Sequence, residues 1–308
     1  MAQRPPIQGV LPVFQTPFHA DESIDFETLS TEIDWLYERG VDGMVMAMVS
    51  EVLRLSTDER QQLAEFVCGA GRERGVVIVS VGTENHHTTR RLARHAEDAG
   101  ADAVMAIPPL SVALSENELI EYYEQILGAV AIPVIVQDAS GYVGRPMSIE
   151  VQAALHKRFH DRVMFKPEAV PMGPRLTSLN EATGHAASVF EGSGGIALMD
   201  NHQRGITGTM PGADLVEAIV PMWQALESGN HERARRISLP LTALIALQNS
   251  LDAFLAVQKY LLVKQGVFTN TIVRGPVGYQ LDEPTRGEVD GLFEMLMDTA
   301  RRDAEAPN

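Results

Sequence analysis

Cysteine is all but missing from this chain: Cys68 is the only one in 308 residues. A single thiol excludes an internal disulfide and agrees with a reducing compartment. Its setting, LAEFVCGA, has a helical pattern and predicts a buried helix face rather than a reactive thiol. Long apolar runs are missing too. Hydrophobic residues make up 45% and charged residues 21%, yet no run approaches the roughly 20 residues of a membrane-spanning helix. The opening MAQRPPIQG lacks the apolar stretch of a secretory signal, so a cytoplasmic protein is expected. Positive charge is scarce, with 25 Lys and Arg against 41 Asp and Glu and a formal net charge of -16. That balance argues against nucleic acid or an anionic membrane as partner, since both require a basic surface. An anionic small molecule stays open, because it answers to a few donors inside a pocket. Lysine is rarest among the basic residues, with four in all: Lys157, Lys166, Lys259 and Lys264.

Several motifs are absent as well. No GxGxxG follows the first apolar run and no GxSxG occurs anywhere, which removes the signatures of dinucleotide binding and of serine hydrolases. The histidines read as scattered, with no HExxH and with the adjacent His86 and His87 as loop or helix-start residues. No metal site and no cofactor are therefore expected.

What is present is an alternation of short β-rich apolar runs with longer helical patterns, the mark of βαβ units around a parallel sheet. Eight runs can be read, at Gly9–Thr16, Gly43–Met48, Val76–Val81, Ala103–Ile107, Pro133–Asp138, Val163–Lys166, Val189–Glu191 and Ile206–Met210. Asp25, Ser56 and Ser115 are placed to cap the helices that follow them, and Ser115 with Glu118 has the spacing of a capping box. Eight strands favour closure over an open sheet, so the expected fold is α/β, a (β/α)8 TIM barrel over residues 1–228. From Ser228 the pattern turns purely helical, which predicts a C-terminal helical extension over 229–308 packed on the barrel as one structural unit. The terminal RRDAEAPN is expected to fray.

In such a barrel the chemistry sits at the C-terminal ends of the strands. Lys166 ends the sixth run, VMF, and is followed by Pro167 and Glu168. The other three lysines lie on helical patterns, where a solvated or snorkelling side chain is the ordinary outcome. Burial disfavours the charged form of an amine, and a neutral amine attacks a ketone. Position alone equally allows Lys166 to pair with Glu168, Glu51 or Asp138 and merely stabilise the barrel mouth. The second run ends in Met48-Val49-Ser50-Glu51, whose hydroxyl and backbone amides suit a carboxylate or simply a turn. The fifth run leads into Gln137-Asp138-Ala139-Ser140-Gly141-Tyr142. The seventh leads into Glu191-Gly192-Ser193-Gly194-Gly195, where glycines admit close approach to a ligand or a plain bend.

These segments, in order, resemble the dihydrodipicolinate synthase and N-acetylneuraminate lyase superfamily across nearly the whole chain. GVLPVFQTPF, ERGVDGMVM, SEVLRLSTDER, VGTENHHTT, AGADAVMAIPP, IPVIVQD, FKPE and RGITGTMPG carry the likeness. The resemblance implies that Lys166 forms a Schiff base with a 2-keto acid and that the chain assembles as a homotetramer or homodimer. There are departures. The carboxylate loop is AMVSE, the family's fifth-strand tyrosine is Gln137, its tyrosine pair after the fourth strand is Leu110 and Ser111, and a substrate-gripping arginine falls at Tyr142. A narrower branch resembles this chain at these same places: the 2-keto-3-deoxy sugar acid dehydratases of the L-2-keto-3-deoxyarabonate type.

The expected activity is thus that of a Schiff-base dehydratase. Lys166 is its nucleophile, with Glu168, Gln137 and Tyr142 as further catalytic candidates. Ser50 and nearby amides would hold the carboxylate, Gln137 with Ser193 would read hydroxyls, and Val49, Glu51, Asp138, Gly192 and Gly194 are the further substrate-binding candidates. Proton transfer falls to Glu168, Ser50 or Tyr142 with a bound water. Two other readings stay open: a pyruvate-dependent aldolase or condensing enzyme, and a non-catalytic keto-acid-binding regulator.

Overall fold

Side chains of a strand point alternately to its two faces, and that alternation can be followed through the whole sheet. A computed structural model describes residues 6–302. Strands β1 (Gly9–Val10), β2 (Gly43–Met46), β3 (Val76–Ser80), β4 (Ala103–Ala106), β5 (Val134–Asp138), β6 (Val163–Pro167), β7 (Phe190–Glu191) and β8 (Gly208–Thr209) are separated by helices and pair in parallel. β2 to β6 form one ladder and β1, β8 and β7 another. Parallel bridges from Val13 to Val45 and Gly212, and from Phe165 to Val189, join the two into a closed ring. The fold is a (β/α)8 TIM barrel.

Leu11, Val13, Val45, Ile78, Met105, Ile135 and Phe190 fill the interior of the ring. Their alternates, among them Met44, Met46, Val77, Val79, Val104, Val134, Val136 and Phe165, pack outward against the helices. The outer layer comprises α1 (Phe26–Glu38), α2 (Thr57–Gly71), α3 (His86–Ala99), α4 (Glu116–Leu127), α5 (Ile149–Phe159), α6 (Met172–Ala182), the short α7 (Leu198–Gln203) and α8 (Val216–Glu227). Asp25, Ser56 and Ser115 cap α1, α2 and α4 as expected, and Ser56 also forms a capping box with Glu59. Cys68 is buried on α2, and burial pushes its thiol up to about 12.

Several expected strands are shorter than their apolar runs. The first pairs regularly over two residues and not eight, and the last stops at Thr209. Pro12 and Pro211 follow closely, and proline has no N–H to give a ladder. The second ends at Met46 because Met48–Ser50 coils into a 3-10 turn. Beyond α8 the chain is not purely helical. α9 (His231–Ala246) and α10 (Leu251–Lys264) are divided where Ser250 caps α10, and a non-helical stretch precedes α11 (Glu283–Arg302). Arg301 and Arg302 continue α11, while the rest of the expected frayed tail, 303–308, lies outside the described residues. Among the described residues no helix is long and apolar enough to cross a membrane.

The non-helical stretch has a defined task. Lys259 on α10 was expected to snorkel, but it is fully buried, unlike the exposed Lys157. Its ammonium donates to Glu51 Oε1 at 2.5 Å, to the Thr16 carbonyl at 2.8 Å and to the Ile272 carbonyl at 2.6 Å. Arg274 N donates to the other carboxylate oxygen of Glu51 at 3.0 Å. An isolated buried ion would neutralise itself, but here every oxygen and proton has a partner. The contact clamps α10 and the following loop onto the turn after β2.

Breaking one half of this clamp leaves a buried charge uncompensated. Lys259→Met is expected to lower unfolding stability by about 3 kcal/mol or more, and Lys259→Met/Glu51→Gln to recover part of it, as read from urea midpoints. A second effect concerns Asp214, whose carboxyl burial raises from 3.8 to about 7. Since the unfolded chain releases this proton first, the contribution of Asp214 is intact below about pH 4 and is lost as the pH rises through about 7. Asp214→Asn should therefore gain on the unaltered protein across that window, by up to about 4 kcal/mol, measured as paired unfolding curves at pH 4 and pH 8.

Candidate active site

The register that closes the ring also selects which polar residues face inward. Ile135 and Met164 belong to the interior layer, so two residues further on Gln137 and Lys166 point the same way, and the two are direct register partners. Glu168, two residues beyond Lys166, returns to this face just past the strand. All three are buried, with Lys166 and Glu168 each 3% exposed and Gln137 1%. Lys166 Nζ stands 3.3 Å from Glu168 Oε1, and Gln137 Nε2 donates to Glu168 Oε2 at 2.7 Å. Burial raises the Glu168 carboxyl above its ordinary range, an effect that Lys166 and the Gln137 bond only partly oppose. Oε1 of Gln137 is buried without a hydrogen-bond partner.

These groups line a pocket with about 420 Å³ of free space, part of it open to solvent, at the C-terminal end of the barrel. Val49, Tyr142, Gly192 and Gly194 line it as well. The Tyr142 ring meets Phe254 edge-on at 5.4 Å, and its hydroxyl reaches the Gly192 carbonyl at 3.5 Å. Burial pushes the phenol well up. Gly192 is required by space: a Cβ there would stand 2.5 Å from Lys166 Cε and 2.7 Å from Glu168 Oε1.

Four other candidate residues do not line the pocket, because their polar atoms are taken up elsewhere. Ser50 Oγ donates to the Phe14 carbonyl at 2.6 Å and accepts from Ala47 N at 3.1 Å, shaping the 3-10 turn. Glu51 holds Lys259. Asp138 accepts from Ser140 N at 3.1 Å and from Met147 N at 2.9 Å, folding the loop after β5. Ser193 donates through Oγ and N to Glu191 Oε1, and Thr209 Oγ1 donates to Glu191 Oε2 at 2.7 Å. Leu110 and Ser111 line a separate cleft, where their amides donate to Glu84 at 2.9 Å.

Reading the histidines as merely scattered also missed a pair: His156 and His160 stand four apart at the end of α5, with ring centroids 6.4 Å apart. Two rings are too few. Among the described residues no group of three or more His, Cys, Asp or Glu side chains is placed to hold a metal ion.

Sequence reasoning also missed a whole wall of the pocket. Leu251, Phe254 and Gln258 of α10, with Val13 and Gly212, belong to the lining too. The helical spacing of the three α10 residues was visible, but such a stripe reads as ordinary core.

An arrangement of amine, buried carboxyl and amide in a small cavity suits imine chemistry on a carbonyl compound. The carboxyl can take up and release a proton beside the reacting carbon. Over residues 6–294 the chain matches the profile of the dihydrodipicolinate synthetase family. It is 29% identical over 297 residues to L-2-keto-3-deoxyarabonate dehydratase of Azospirillum brasilense, covering 94% of each chain. To 4-hydroxy-tetrahydrodipicolinate synthase of Rhizobium meliloti it is 27% identical, covering 93% of this chain and 97% of the other. The crystal structure of dihydrodipicolinate synthase from Rhodopseudomonas palustris superposes with a TM-score of 0.84 at 28% identity, covering 94% of this chain and 97% of that one.

The contact at Gly192 gives a direct test of the geometry. Gly192→Ala must displace either the amine or the carboxylate. Reductive amination of Lys166 by a small aldehyde, followed by peptide mass analysis, is expected to slow by about tenfold or more.

Proposed function

The chain belongs to the dihydrodipicolinate synthetase family, and from that premise we propose that it is a lyase that dehydrates a 2-keto-3-deoxy sugar acid through a Schiff base on Lys166. The observation that carries this reading is the buried Glu168 carboxyl, 3.3 Å from the Lys166 amine and bonded to Gln137. The likeness to L-2-keto-3-deoxyarabonate dehydratase supports the substrate class.

In this reading Lys166 Nζ attacks the C2 ketone, and loss of water gives a protonated imine. The imine draws electrons from the C3–H bond, whose proton passes to Glu168. The resulting enamine returns its electrons to expel the C4 hydroxyl, and a proton from Glu168 lets that hydroxyl leave as water. Hydrolysis of the imine then frees the product and the amine. A carboxyl held above its ordinary range suits both directions of transfer, because it exchanges its proton nearer neutrality. Backbone amides of the turn at Val49, with Ser50 and Glu51 shaping that turn, would meet the substrate carboxylate. Tyr142 and the glycines at 192 and 194 would confine the chain of the substrate, with Asp138 and Ser193 holding the surrounding loops. A homotetramer or homodimer acting in the cytoplasm, with its barrel and helical extension divided near residue 228, completes the reading.

Borohydride reduction in the presence of a 2-keto-3-deoxy pentonate is expected to attach the acid to the peptide containing Lys166. Lys166→Met should abolish the adduct. Glu168→Gln should retain adduct formation but lower turnover by about a hundredfold or more. Product analysis separates the chemistries: dehydration preserves the carbon skeleton, whereas aldol cleavage releases pyruvate and an aldehyde. No turnover with any keto-deoxy acid, despite a trapped adduct, would favour a binding protein.

A further inference from the structure

Most of the pocket lining comes from barrel strands and the loops after them, but one side comes from the C-terminal extension. Leu251, Phe254 and Gln258 fall three and four residues apart, so they share one face of α10, and that face covers the mouth near β1 and β8. Two of these residues are apolar. Gln258 is an amide only 3% exposed, and an amide buried without a partner for its donors is costly.

Its two ends are treated differently. Oε1 accepts from Gln15 Nε2 at 2.5 Å, and Gln15 is itself held, its main-chain N donating to Glu32 Oε1 at 2.9 Å. The carbonyl end of Gln258 is thus anchored in the barrel wall. The Nε2 end finds no protein acceptor among the described residues and is left to donate into the pocket that Gln258 lines. Gly212 makes room for it. The backbone there is ordinary, with φ -66° and ψ 157°, so no conformation demands glycine. A Cβ at 212, however, would stand 2.3 Å from Gln258 Nε2.

In a ring of eight strands β1 lies opposite β5. The amide anchored beside β1 and the Gln137 amide at the end of β5 therefore belong to opposite sides of the lining, and Gln137 Oε1 is a buried acceptor without a partner. A donor on one side and an acceptor on the other, with Lys166 beside Gln137 in the lining, match a chain that carries several hydroxyls. Pyruvate, with its carboxylate held at the Val49 turn, presents only a methyl group to them.

We propose that Gln258 is a specificity-determining residue: its Nε2 donates to a hydroxyl on the tail of a polyhydroxylated 2-keto acid, so the C-terminal extension selects hydroxylated substrates over simple ones. This rests on the Schiff-base reading above and adds the group that reads the tail.

The test compares two probes, pyruvate and a 2-keto-3-deoxy pentonate, by the concentration at which borohydride trapping of Lys166 is half-maximal. Gln258→Met removes the donor at similar size. Gln258→Glu keeps an oxygen for Gln15 and replaces the donor with an acceptor, so it serves should the first variant fold poorly. Both are expected to raise the half-maximal concentration of the pentonate about tenfold and to leave that of pyruvate unchanged. Equal changes for both acids, or no change for either, would overturn the role of Gln258 while leaving the Schiff base intact. If the unaltered protein traps neither acid, the Schiff-base reading itself falls, and this inference with it.

Discussion

A buried amine and carboxyl side by side lose several kcal/mol of hydration each, and the barrel is arranged around making that loss tolerable at Lys166 and Glu168. The amine stands 3.3 Å from one carboxylate oxygen of Glu168, and the Gln137 amide donates to the other at 2.7 Å. The strands determine the rest. Pairing of β5 with β6 sets Gln137 beside Lys166, and a slip of β6 by one residue would turn Lys166 into the helical layer. Gly192 then leaves open the volume that the lysine methylenes occupy.

The second buried lysine shows the same physics used for a different end. Lys259 is fully buried, with its three donors taken up by Glu51 and two carbonyls, so its ammonium holds parts of the chain together. Because Glu51 sits in the turn after β2, that ion pair also fixes the stretch around Val49 that lines the pocket. The C-terminal extension thereby acts on the site twice, through the Lys259 clamp beneath the turn and through the Leu251, Phe254 and Gln258 face over the mouth.

Much of this was legible in the chain itself. Eight apolar runs with helical intervals pointed to a closed barrel, and the capping residues Asp25, Ser56 and Ser115 behave as their types suggest. Strand lengths were misjudged where Pro12 and Pro211 interrupt an otherwise apolar run, because hydrophobicity continues where hydrogen bonding cannot. Of the residues singled out at strand ends, Lys166, Glu168, Gln137, Tyr142, Val49, Gly192 and Gly194 line one pocket, whereas Ser50, Glu51, Asp138 and Ser193 are occupied in holding it. Residue type cannot separate those two groups, since a hydroxyl or carboxylate serves a substrate and a backbone amide equally well.

The amino-acid order by itself determined the α/β barrel pattern and singled out Lys166, because strand periodicity and a lone amine at the end of an apolar run are local properties. Only the tertiary structure decided that Lys259 is buried, that Glu51 belongs to it, and that Gln258 reaches the pocket. The physical reason is distance along the chain. Lys259 and Glu51 are 208 residues apart, and Gln15 and Gln258 are 243 apart. Whether a polar side chain is spent or free depends on partners that nothing in its own neighbourhood announces.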